Sequence, residues 1–106
     1  MPFERQTKLA SPTGALVNLY TEPAKGGGRA VVQINHGLAE HAARYARFAR
    51  FLSGRGFHVY AHDHRGHGFT TAPDAPPGRF AGTDGKEKVI ADVVAVHDLI
   101  AREHPD

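Results

Sequence analysis

Two short apolar runs, Ala30-Val31-Val32-Gln33-Ile34 and Phe57-His58-Val59-Tyr60-Ala61, bracket a stretch with the periodicity of a helix. Nearly continuous apolar runs of this length suit parallel strands covered on both faces. Between them, from about Glu40 to Ser53, Tyr45, Phe48, Ala49 and Leu52 recur at helical spacing. Arg44, Arg47 and Arg50 line another face, and Gly54 with Gly56 ends the pattern. Strand, helix and strand at this spacing predict a right-handed parallel crossover, which makes the fold class α/β.

The flanking segments extend that unit. Phe3 to Leu9 alternates loosely and suits an edge strand; Ala15 to Tyr20 is rich in strand formers, and Ser11-Pro12-Thr13-Gly14 between them supplies turn chemistry, so an antiparallel hairpin opens the chain. Gly26-Gly27-Gly28 separates this hairpin from the first parallel strand. Thr70 to Gly82 holds Pro73, Pro76, Pro77 and Gly78, which predicts a long, mobile loop bordering a site. Asp84 is placed to cap a last helix with Glu87 as its reciprocal partner, and Val89, Val93, Val96 and Ile100 form that helix's apolar stripe. His104-Pro105-Asp106 ends the helix, after which a further parallel strand is expected, so residues 1–106 read as the amino-terminal part of one domain.

Composition narrows the function classes. With 106 residues, 41% of them hydrophobic and 23% charged, the chain reads as an ordinary soluble domain, and a net charge of +2 spread along it does not argue for nucleic acid. The absence of cysteine excludes a disulfide framework, a thiolate zinc site and a cysteine nucleophile. Met1-Pro2-Phe3-Glu4-Arg5 has no apolar signal core and no run approaches the ~18 apolar residues of a membrane span, so no stable membrane insertion and a cytoplasmic location are the expectations.

Chemistry concentrates where the two parallel strands end, the edge at which open α/β sheets bind ligands. After the first strand, in His36-Gly37-Leu38-Ala39-Glu40-His41, Gly37 allows a close turn, and the Leu38 N–H ahead of a helix start is a candidate donor to a developing negative charge. The plain alternative is that His36-Gly37 is only a strand-to-helix turn. In the second segment, His62-Asp63-His64-Arg65-Gly66-His67-Gly68, Asp63 can accept from loop amides and Arg65 can pair with a carboxylate. Gly66 and Gly68 there permit conformations that side chains would block. A metal site from His62, Asp63, His64 and His67 is the competing reading, disfavoured because adjacent loop residues point in different directions. No metal or other cofactor is expected. His41 and His97 read as packed or surface histidines. Gly-x-Ser-x-Gly is absent, and neither Ser11 nor Ser53 sits in the context of an activated nucleophile.

Ile34-Asn35-His36-Gly37-Leu38-Ala39-Glu40-His41 with Arg44-Tyr45, followed by Ala61-His62-Asp63-His64-Arg65-Gly66-His67-Gly68, resembles the amino-terminal part of the monoglyceride lipase and lysophospholipase group of the α/β-hydrolases. The similarity runs from about Leu16 to Pro105, and two motifs in the right order are far more specific than one. The resemblance implies a serine ester hydrolase acting on monoacylglycerols, lysophospholipids or similar small ester or lipid substrates. Leu38 N–H would be one oxyanion-hole amide, with His36, Gly37, Asp63, Arg65, Gly66 and Gly68 shaping the supporting loops. Thr70 stands where the family has serine. The family's nucleophile, acid and base would all lie beyond Asp106, so the resemblance implies a fold cut before the nucleophile strand and a chain inactive alone. It also implies that the Val31–Ile34 strand lies between the Val59 strand and an absent one, leaving an edge open to self-association. The alternative is a small non-catalytic α/β module that holds an anionic ligand at the same strand ends.

Overall fold

In the computed structural model, the residues described are 3–26, 28, 30–36, 42–65, 67, 69–71, 73 and 85–104. They form four strands, β1 (Arg5–Ala10), β2 (Leu16–Glu22), β3 (Ala30–Asn35) and β4 (Phe57–His62), and two helices, α1 (Ala46–Gly54) and α2 (Gly85–Glu103). One mixed sheet has the order β1-β2-β4-β3. β1 and β2 are antiparallel, β2 is antiparallel to β4, and β3 runs parallel to β4. The hairpin and the crossover predicted from sequence are both present.

The strand period of two sorts β4 onto two cores. Val59 and Ala61 pack with Phe3, Tyr20, Ala42, Ala46 and Ala49 on the α1 face. Tyr60 packs with Ala15, Val17, Leu19 and Val96 on the α2 face. The helices therefore cover opposite faces, which is why the β3 and β4 sequences are nearly continuous apolar runs. Small residues at the α1 contact, Ala46 and Ala49, let that helix lie close to the sheet.

Several element bounds differ from the sequence reading, each for a local reason. Phe3 is not in β1: its ring stacks on Tyr20 with centroids 4.9 Å apart. The Glu4 N–H goes to the Glu22 carboxylate at 2.9 Å, so a side chain replaces the ladder partner there. The helical segment after β3 opens as a 3₁₀ turn over Ala42–Tyr45 and becomes α only at Ala46. The Ala42 N–H that would begin a regular turn is instead held by Asp63 Oδ1 at 2.7 Å. Gly56, at φ 94°, takes the left-handed conformation that ends α1.

The expected loop does not start free. Thr71 exchanges two backbone hydrogen bonds with Leu16, at 2.8 and 3.2 Å, so the chain is pinned to β2 three residues past the second histidine segment. The remainder of that loop, with Pro76, Pro77 and Gly78, lies outside the described residues, as does the Asp84 cap. In α2, Val96 is buried and Val89, Val93 and Ile100 are half-buried, so the stripe faces the sheet as its spacing predicts.

Among the described residues β3 has a partner strand on one side only. An open edge carrying Val31, Val32 and Ile34 exposes a row of backbone donors and acceptors to other chains. We expect the 106-residue chain to sediment as concentration-dependent oligomers; a single monomeric species across a hundredfold concentration range would contradict this.

Candidate functional site

The parallel register sets Asn35 opposite His62, so β3 and β4 end on the same rim of the sheet and deliver their following segments side by side. His36 and His64 leave that rim in contact. The His64 N–H donates to His36 Nε2 at 2.9 Å, and the two rings lie 4.3 Å apart. His67 joins them with its ring 5.4 Å from that of His36. A bond to Nε2 requires that nitrogen to be unprotonated, so the contact between the two segments depends on a neutral His36.

Asp63 organises the rim. Its Oδ1 accepts from the Ala42 N–H at 2.7 Å; its Oδ2 accepts from Phe69 N–H at 3.0 Å and from Asn18 Nδ2 at 2.8 Å. One buried carboxylate thus ties together the approach to α1, the loop after β4 and strand β2. The Asp63 N–H in turn donates to the Asn18 carbonyl at 3.0 Å. Thr70 closes the same loop, its hydroxyl donating to the Asp63 carbonyl at 2.6 Å and accepting from Asn18 N–H at 2.7 Å. Because threonine keeps the hydroxyl, the departure from serine leaves both bonds intact.

Arg65 points the other way, into the α2 face. It is fully buried, with Nε 3.3 Å from Asp92 Oδ2, an ion pair rather than a well-aligned hydrogen bond. Asp92 Oδ1 accepts from Ser11 Oγ at 2.7 Å and Thr13 Oγ1 at 2.6 Å, so α2, the β1–β2 turn and the rim loop share one polar cluster. Ser11 is therefore held by a carboxylate, and Ser53 donates to the Pro23 carbonyl at 2.5 Å. His97 is on the surface of α2.

His36 and Asp63 are thus gathered at one rim, while the Arg65 side chain turns away from it toward Asp92. Gly37, Leu38, Gly66 and Gly68 lie outside the described residues, as does His41. No group of three or more histidine and acidic side chains among the described residues is arranged to hold a metal. The Asp63 oxygens face backbone amides and Asn18, and the imidazoles meet ring to ring, His62 and His64 edge-on at 5.0 Å. Sequence reasoning missed Asn18 and Asp92. Both are polar residues at positions the pattern marks as apolar, in the middle of Leu16–Tyr20 and one turn from Val89 and Val96. That misfit was the available signal.

Solved α/β-hydrolase structures resemble this arrangement. A thermostable carboxyl esterase from Bacillus coagulans superposes with a TM-score of 0.83 at 28% identity, over 96% of this chain and 33% of its own. A lipase in its open form superposes with a TM-score of 0.77 at 30% identity, over the same shares. The fold is that of an α/β-hydrolase. The family model for serine aminopeptidase S33 matches residues 26–106, and the chain belongs to that family. Mouse monoglyceride lipase is 30% identical over the whole of this chain, and the Mycolicibacterium smegmatis monoacylglycerol lipase is 55% identical over 40 residues, 38% of this chain and 14% of its own. The chain spans about a third of the length of the mouse relative. No helix among the described residues is long and apolar enough to cross a membrane.

Burial makes this site acid-sensitive. Desolvation, reinforced by repulsion from His64 and His36, lowers His62 to about 3; desolvation and His36 lower His64 to about 4. Both imidazoles fold neutral, so protons bind the unfolded chain more tightly. Stability is full above the ordinary histidine value of ~6.5 and falls as pH drops from there toward the folded values. Melting temperature should decline from pH 6.5 to 4, and His62→Leu should flatten the decline; equal slopes in both chains would contradict the assignment. Removing one partner of the buried ion pair, Asp92→Ala, should cost about 3–5 kcal/mol in urea unfolding, against roughly 1 kcal/mol for Ser11→Ala.

Proposed function

We propose that this chain supplies the oxyanion side of a serine ester hydrolase acting on monoacylglycerols or similar small carboxylic esters. The observation that carries this reading is the joining of two strand-end segments on one rim, through His64 N–H and His36 Nε2, in a chain of this family. In such a site the Leu38 N–H would donate to the tetrahedral oxyanion as the carbonyl oxygen takes up charge. His36 and Gly37 would set the turn that presents it, while Asp63, Arg65, Gly66 and Gly68 would hold the adjoining loop. Backbone donors suit this task because they are fixed before reaction and need no reorganisation as charge develops.

The covalent step needs a nucleophile, a base and an orienting acid. This sequence has no Gly-x-Ser-x-Gly, and Ser11 and Ser53 are bonded to Asp92 and Pro23 rather than to a histidine. We therefore assign no triad residue to these 106 residues and propose that the chain is silent without the sequence that completes the site. The relatives' threefold greater length supports this reading.

Two measurements test it. The 106-residue chain should give no hydrolysis of p-nitrophenyl butyrate above buffer and no labelling by a fluorophosphonate; labelling would overturn the silent assignment. A chimera in which residues 1–106 replace the matching third of mouse monoglyceride lipase should hydrolyse monoacylglycerol, and Leu38→Pro, which removes the N–H, should lower its kcat by about 10²–10³. A folded but inactive chimera would favour the anion-binding module instead.

A further inference from the structure

The outward face of α1 is not what a solvated helix ordinarily presents. Ala46, Ala49 and Ser53 are buried against the sheet, while Phe48 and Phe51 are 52% and 57% exposed. At about 100° per residue, Phe51 falls almost diametrically opposite the buried arc, with Arg47 and Arg55 on either side of it and Phe48 next to Arg55. The Arg55 guanidinium lies 5.0 Å from the centre of the Phe51 ring. Arg50 is also exposed on this helix. No aspartate or glutamate occurs between His41 and His62, a stretch with four arginines.

Two features of this face choose its occupant. A helix lying beside α1 on the same sheet would meet its flanks, leaving the ring at the pole uncovered. Aromatic rings flanked by arginines, in a stretch of sequence without an acidic residue, complement a surface that is apolar beneath and negatively charged above. We propose that α1 docks the protein on an anionic lipid surface, Phe48 and Phe51 entering the headgroup–acyl boundary and Arg47 and Arg55 pairing with lipid phosphates. The helix would lie on the membrane, not span it.

The placement has a use. Ala42, just before α1, is bonded to Asp63 at the rim, so docking through α1 holds the candidate site close to the surface from which a lipid ester would come. The docking does not rest on ester hydrolysis and is measured without it.

The test is co-sedimentation of the 106-residue chain with vesicles of phosphatidylglycerol or of phosphatidylcholine, with far-UV circular dichroism confirming that surface substitutions leave the fold unchanged. Binding should favour phosphatidylglycerol and weaken with salt. With each interfacial arginine worth about fivefold, Arg47→Glu together with Arg55→Glu should lower partitioning about thirtyfold or more. Phe48→Ser with Phe51→Ser should reduce binding even at low salt. Absence of binding to phosphatidylglycerol would overturn the proposal, as would binding indifferent to the phenylalanine pair. Variants that alter only the oligomeric state would assign the face to a second copy of the chain instead.

Discussion

The Asp63 carboxylate ties the approach to α1, the loop after β4 and strand β2 to one another. Three donors from three parts of the chain converge on it, two of them backbone amides that no other described group satisfies. A buried carboxylate is costly to desolvate and is tolerated only when its oxygens are met by donors. Here the requirement works in both directions: the charge needs those amides, and the amides at the approach to α1 and in the loop after β4 need an acceptor. The 3₁₀ start of the helical segment follows from it, and so does the close passage of the loop against β2.

Around this hub the protein concentrates polar groups that a small domain would ordinarily keep at its surface. Four histidines, an arginine, two aspartates and an asparagine are buried within one end of the fold. The sheet imposes this. With a helix on each face, the described residues that follow β4, Asp63 to Arg65, are buried, and loop backbone there finds partners in side chains. His62 and His64 fit because burial keeps them neutral, at the expense of stability in acid, and the rings of His36, His62, His64 and His67 pack against one another. Arg65, buried as well, is matched by Asp92 from α2 across the fold.

Much of the fold was legible because periodicity reports burial directly. The crossover, the hairpin and the α2 stripe each follow from which residues are apolar and how often they recur. Element starts were less legible: α1 begins late because Ala42 answers to a residue 21 positions away, and β1 begins after Phe3 because that ring has a better partner in Tyr20 than in a strand. Of the site, the strand-end histidine and glycine segments could be recognised, since adjacency of two parallel strands guarantees that their ends meet. Asn18 and Asp92 showed only as polar residues out of place, because the partner of each is distant in the chain.

The sequence by itself determined the α/β class and the family, because alternation, helical spacing and two ordered motifs are properties of neighbouring residues. It also contains neither a cysteine nor a Gly-x-Ser-x-Gly. Only the tertiary structure decided that His36 Nε2 receives the His64 amide, that Asp63 holds the helix approach and that Arg65 meets Asp92. These are bonds between residues 21 to 28 positions apart or across the α2 face, whose partners are chosen by the register of β3 on β4 and the seating of α2. It decided as well that Phe51 faces outward, because which side of an amphipathic helix is buried depends on the small residues that fit against the sheet.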